Sequence, residues 1–131
     1  QKEDFNFNIV SLELTGESKI NNFLEKKLKQ FSSSTKSKQY KILINSDYIK
    51  VNVAKDSTGN VTDLKLITSI DVTYSLSKQP ITQGKKISFS ENIIIKKNDN
   101  TFEQNNYERS VLNNLSQLLL KKLIFHLSKE E

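Results

Sequence analysis

The chain has 131 residues and a formal net charge of +5, with 35% hydrophobic residues, three glycines, one proline and no cysteine. That length suits one compact domain with a core of its own, and we take residues 1–131 as a single domain. The missing cysteine excludes a disulfide scaffold, a thiolate zinc site and a cysteine nucleophile within these residues. The modest, scattered positive charge favours acidic partners such as lipid phosphates or anionic surfaces, without the basic and aromatic stripe expected of a nucleic-acid binder.

The chain opens on Gln1, Lys2 and Glu3 rather than on methionine. We expect processing or truncation there, with any signal peptide or lipid-bearing residue lying upstream. No apolar run approaches the roughly 18–20 residues needed to cross a membrane.

Phe5 to Leu14 reads as a strand that changes facing partway. Phe5, Phe7 and Ile9 share one parity, whereas Val10, Leu12 and Leu14 share the other. Ile20, Phe23, Leu24, Leu28 and Phe31 then recur at helical spacing, which predicts an amphipathic helix from Glu17 to Phe31. Thr15 or Ser18 is placed to cap it. The stretch SSSTKSKQ is a polar loop.

Tyr40 to Lys55 reads as a long strand. Tyr40, Ile42 and Ile44 share one parity and Ile49, Val51 and Val53 the other, which predicts a bulge near Ser46 to Tyr48. DSTGN, a short loop with glycine, predicts a hairpin. The next strand alternates most cleanly. Leu64, Leu66, Ile70, Val72, Tyr74 and Leu76 point one way, and Asp63, Lys65, Ser69, Asp71, Thr73 and Ser75 the other. One face is buried and one wet, as in an antiparallel sheet covered on one side. SKQPITQGK is a second hairpin loop, and Ile87, Phe89, Ile93 and Ile95 run in phase along a fourth strand.

NDNTFEQ carries turn chemistry and a helix start, with Thr101 and Gln104 spaced as a capping box. The helix is predicted from Phe102 to Leu127. Leu112, Leu115, Leu119 and Leu123 form its stripe, widened by Val111, Leu118 and Leu120. The order is β-α-β-β-β-α. Two one-sided helices need one shared apolar face, so we expect an α+β two-layer sandwich: a four-stranded, largely antiparallel sheet with both helices on one face.

Candidate chemistry is sparse. His126, the single histidine, lies in the last turn of a helix and has no metal or acid–base partner at a telling spacing, so we read it as structural. No motif singles out a pair among Asp47, Asp56, Asp63, Asp71, Glu91 and Glu108. No phosphate-binding loop, dinucleotide fingerprint or nucleophile elbow is present. We therefore expect no enzyme, no metal and no cofactor. Lys55, Lys96 and Lys97 flank hairpins or the turn into the last helix, where a rigid scaffold presents binding groups, and lysine suits phosphate.

The succession FNIVSLEL, INNFLEKKL, YKILINSDYIKVNVAKD, LKLITSIDVTYSL and NNYERSVLNNLSQLLLKKL, spread over nearly the whole chain, resembles the LptE family. These are small lipoproteins that assemble lipopolysaccharide at the outer membrane of Gram-negative bacteria. The resemblance implies a sheet covered by two helices and an N-terminal lipid anchor upstream of these residues. It also implies a place on the periplasmic side of the outer membrane, inside a large LptD-type β-barrel as scaffold and plug. Lipopolysaccharide would be the ligand, with no nucleic acid among its partners. Basic residues near the central hairpin and before the last helix are linked to lipid binding in the family; the matches are Lys55 with Lys65, and Lys96 with Lys97. The hairpin tip STGN departs from that pattern in carrying no basic residue. On this reading Arg109, the lone arginine, belongs to a helix start. Two rivals stand beside it. One is a periplasmic helix-on-sheet binding module, cystatin-like or other, for a protein or small ligand; the other is a small enzyme with a buried carboxylate base.

Overall fold

The computed structural model describes residues 7–31 and 38–129. The elements are β1 (Phe7–Gly16), α1 (Ser18–Leu28) with a 3-10 turn over Lys29–Phe31, β2 (Lys38–Lys55), β3 (Val61–Leu76), a 3-10 turn over Ile81–Gln83, β4 (Lys85–Lys96) and α2 (Thr101–Lys129). The strands form one sheet in the order β1-β2-β3-β4. β1 runs parallel to β2, and the other pairs are antiparallel. Both helices pack on one face, as the one-sided stripes require.

The main core joins Ile20, Leu24 and Leu28 of α1 and Leu112, Leu119, Leu123 and Leu127 of α2 to the inward row of the sheet. That row includes Phe7, Ile9, Ile42, Ile44, Ile70 and Val72. A smaller core lies under the first half of α2, where Leu64, Leu66 and Ile95 meet Val111 and Leu115. Tyr48 touches both. An aromatic chain ties the layers together at the other end. Phe31 stacks on Phe7, which meets Tyr40 edge-on; Tyr40 meets Tyr74, and Tyr74 meets His126, at centroid distances of 5.0, 5.8, 5.8 and 5.5 Å. His126 Nε2 lies 2.8 Å from the Tyr74 hydroxyl, and its ring also meets Phe89. This is a packing role for the histidine.

The facing change in β1 is a register shift between Ile9 and Ser11 that turns Val10 outward. β1 then ends at Gly16. There φ is +97°, and an added Cβ would stand 2.0 Å from the Ser46 carbonyl oxygen. Only glycine tolerates both. Ser46, buried opposite, holds the turn with its hydroxyl 2.8 Å from Asn21 Oδ1, while its carbonyl accepts from the Glu17 amide at 3.2 Å.

Several expectations are corrected. No bulge lies at Ser46 to Tyr48; the β2–β3 register runs unbroken from Tyr40 to Asn52, and the shifts fall at Ala54. Ile49, Val51 and Val53 therefore face away from the helices. Leu76 and Leu118 are exposed, and Ser75 is buried, because Leu76 ends its strand and Leu118 lies beyond the width of the stripe. Neither Thr15 nor Ser18 caps α1. Glu17 does, its carboxylate accepting from the Lys19 amide, while the Thr15 hydroxyl goes to Asn45. α2 is capped by Asn100, whose side chain accepts from the Glu103 amide. Gln104 does reach back, but to the Asn98 amide at 2.6 Å rather than to Thr101. Phe5 and most of the SSSTKSKQ loop lie outside the described residues.

Gly16→Ala should destabilise the fold by about 2–3 kcal/mol, since left-handed strain adds to a backbone clash. Urea unfolding followed by circular dichroism measures it. An unchanged midpoint would remove Gly16 as the hinge of the β1–α1 turn.

Candidate functional site

β1 accompanies β2 only as far as Ser46, so the second half of β2 runs on with β3 and β4 as a three-stranded overhang. One face of this overhang is covered by the N-terminal half of α2. The other is open, and side-chain alternation fills it. Ile49, Val51 and Val53 on β2 are 49%, 40% and 43% exposed, and Ile94 on β4 is 57% exposed. Ile67 and Lys65 of β3 lie between them in register. The polar half of this face lies nearer the other end, where Ser88 donates to Asp71 at 2.6 Å.

The four lysines singled out in the sequence gather at the hairpin end of this overhang. Lys55 ends β2, Lys65 sits in the apolar row opposite Val51 and Ile94, Lys96 ends β4, and the Lys97 amide bonds to the Thr62 carbonyl. Lys96 is tied to Asp63 across the strands at 3.2 Å. The turn that joins β2 to β3 is built by Asp56. Its carboxylate accepts from the Thr58 hydroxyl and amide and from the Asn60 amide, at 2.7, 2.9 and 3.0 Å. The Thr58 hydroxyl first, then the Asn60 amide, hold this carboxyl below its ordinary range. Gly59 takes the left-handed position of the turn, with φ +89°.

The overhang is fixed to α2 by a polar link that sequence reading missed. Lys50 Nζ meets Glu108 Oε1 at 3.0 Å, and Gln104 Nε2 donates to Glu108 Oε2 at 2.6 Å. Burial works to raise the Glu108 carboxyl. The Gln104 and Lys50 hydrogen bonds and the charges of Lys50 and Lys19 outweigh it, so the group is held below its ordinary value. Burial, then the charges of Glu108 and Glu17, push the nearby Tyr48 phenol up to about 12, so it stays neutral. Glu91, another of the carboxylates noted in the sequence, pairs with Lys122. Among the described residues no cluster of three metal-ligating side chains occurs.

A second cationic feature lies on the helices. Lys19 and Asn22 of α1 and Asn106, Arg109, Ser110 and Asn113 of α2 line an open groove of about 640 Å³. Arg109 donates to Asn106 across one turn at 3.3 Å. Arg109 lies in the first third of α2 and shares the lining of this open groove with Lys19 and the side-chain amides of Asn22, Asn106 and Asn113. Only the helix pairing, absent from sequence, brings these residues together.

Known proteins share this fold. No family model matches the chain, and no curated protein matches it. Among solved structures, rare lipoprotein B from Shewanella oneidensis superposes with a TM-score of 0.66 at 8% identity, covering 89% of this chain and 92% of that one. A putative lipoprotein from Caulobacter crescentus gives 0.58 at 14% identity, over 91% and 88%. Lipoprotein B from Nitrosomonas europaea gives 0.58 at 11% identity, over 98% and 88%.

The Glu108 link makes acid stability testable. Its folded pKa lies below the unfolded one. The stability it adds is therefore complete above the ordinary carboxylate range, and is lost as pH falls through the folded value. Glu108→Gln should lower the urea midpoint at pH 7, and the gap to the parent should close on acidification below about pH 4. A residual acid slope from Asp56 survives in the variant. A gap that is constant from pH 7 to pH 3 would rule out the charged link.

Proposed function

We propose that this chain is an LptE-like, non-catalytic subunit of an outer-membrane lipopolysaccharide translocon, anchored by an N-terminal lipid on the periplasmic side. It would bind lipopolysaccharide and serve as scaffold and plug of an LptD-type β-barrel. The observation that carries this reading is the likeness, over about nine-tenths of both chains, to proteins described as lipoprotein B.

The overhang supports the ligand class. An open row of Ile49, Val51, Val53 and Ile94 suits acyl chains, and Lys55, Lys65, Lys96 and Lys97 at its end suit phosphates. An amphipathic anionic lipid needs these two features side by side. Lys96 meets its ligand at the expense of Asp63, so Lys97 and Lys55 are the more available cations.

The Lys96→Glu/Lys97→Glu variant should bind lipopolysaccharide roughly ten-fold more weakly in a direct titration at low salt, with a slightly lowered melting temperature because the cross-strand attraction to Asp63 becomes a repulsion. Unchanged binding would remove these residues from the site. The lipidated protein, drawn from outer membranes of its own source in mild detergent, should bring a stoichiometric large β-barrel with it. Its absence would sink the plug reading and move the helix-on-sheet binding module to the front.

A further inference from the structure

The overhang has an open side as well as an open face. Beyond Ser46, β2 is an edge strand, and among the described residues no strand pairs with it there. The direction of its backbone groups follows from two hydrogen bonds. The Ser46 carbonyl points toward β1, accepting from the Glu17 amide, and the Gln39 carbonyl points toward β3, accepting from the Ser77 amide. Even-numbered residues of β2 therefore aim N–H and C=O outward, and odd-numbered ones aim them at β3. Among the described residues no strand meets the outward backbone donors and acceptors of Tyr48, Lys50 and Asn52.

Natural edge strands are commonly blunted by an outward lysine, a proline or a bulge. This one is blunted only at its tip, by the register shift at Ala54. Lys50, the lysine within the run, sits on the helix side, where Glu108 holds it. The outward residues Ile49, Val51 and Val53 are β-branched and apolar.

We infer that this edge pairs with the same edge of a second copy, antiparallel, about a two-fold axis at Val51. The strand is self-complementary in that register. Val51 falls opposite Val51 of the second copy, Ile49 opposite Val53, and Asp47 opposite Lys55, the last two each occurring twice. Lys50 and Asn52, whose backbone groups point outward, become the hydrogen-bonded pair; Val51 becomes the close, non-hydrogen-bonded one. Asp47 and Lys55 have no ion-pair partner among the described residues, so the second copy supplies one to each. Neighbouring registers fare worse. An axis at Lys50 sets lysine against lysine. An axis at Ile49 sets four strand residues, Asn52 to Lys55, beside Leu43 to Ser46, where β1 already lies, whereas with the axis at Val51 the strand ends opposite Asp47. An axis at Asn52 sets Ile49 against Lys55, and one at Val53 sets Val51 against Lys55. The central residues, Ile49 to Asn52, lie in the regular part of the β2–β3 ladder. Two overhangs so joined make one six-stranded sheet end, with the apolar rows continuous on its open face.

Such a junction is smaller than the roughly 1,200 Å² of a standard interface, so the dimer is weak and concentration-dependent. It concerns the chain outside any barrel and does not rest on the translocon reading. The test uses the 131-residue chain, which has no cysteine, so one introduced thiol reports alone. A Val51→Cys pair on the axis stands about 4.5 Å apart between Cα atoms, within reach of a disulfide. Under mild oxidation at about 100 µM it should yield covalent dimer at least ten-fold faster than Ile67→Cys, a control on the same face one strand in. Sedimentation equilibrium of the parent chain should show dimer between roughly 0.1 and 1 mM, and Val51→Lys, which sets like charges on the axis, should abolish it. Three results would overturn the inference: a parent chain that is monomeric at about 1 mM, equal cross-linking of the two cysteine variants, or a Val51→Lys variant that dimerises as the parent does.

Discussion

The close approach of Gly16 to Ser46 governs the architecture. At that point β1 comes too near β2 for any side chain, the backbone takes a left-handed turn, and the chain leaves the sheet plane to enter α1. Parallel pairing stops there by necessity. α1 is thereby placed over the proximal sheet, and β2 continues for another nine residues, Asp47 to Lys55, with a neighbour on one side only. The two-part core, the overhang and the free edge all follow from where that single turn is made.

A three-stranded overhang covered on one side by half a helix needs its helix held in place. α2 has 29 residues, roughly 43 Å by helical rise, enough to lie along the whole sheet. Its C-terminal half is locked by the aromatic chain and the main core. Its N-terminal half covers a core of only five buried residues. The Lys50–Glu108–Gln104 link compensates there. Gln104 joins the strand contact of Glu108 to the turn amide of Asn98, so one polar chain spans sheet, helix and cap. Because the link is partly solvent-exposed, its strength depends on charge and on pH more than the greasy end does.

Much of this fold was legible in the sequence, because alternation on β3 and the heptad-like leucines of α2 are direct readouts of one-sided burial. The order of elements and the single covered face follow from such periodicities, whereas the contacts of His126 with Tyr74 and Phe89 do not. The errors cluster at β2. Its parity switch at Ser46–Tyr48 matches a bulge as well as it matches a strand that keeps its register while its apolar residues change faces. Pattern alone favours the bulge, because it buries more. The strand instead exposes Ile49, Val51 and Val53, which no single-chain argument about core formation predicts. The lysines at the hairpin end were visible because strand ends and turns announce themselves. Asp63 beside Lys96 and Glu108 beside Lys50 were not, nor was the groove that Lys19 and Arg109 both line, since each joins elements far apart in sequence.

A strand that exposes apolar side chains on one face and backbone groups along one side violates two ordinary rules at once. The two violations are geometrically independent. Side chains stand normal to the sheet and meet what lies above it; N–H and C=O lie in its plane and meet what lies beside it. A lipid-like ligand on the face and a strand at the edge therefore do not compete for the same atoms. Edge pairing would instead widen the apolar face and bring the lysines of two hairpin ends, Lys55 and Lys65, onto one surface. Face and edge both trace back to the same early stop of β1, so a substitution that lengthened β1 past Gly16 would cover the edge yet leave the face as open as before.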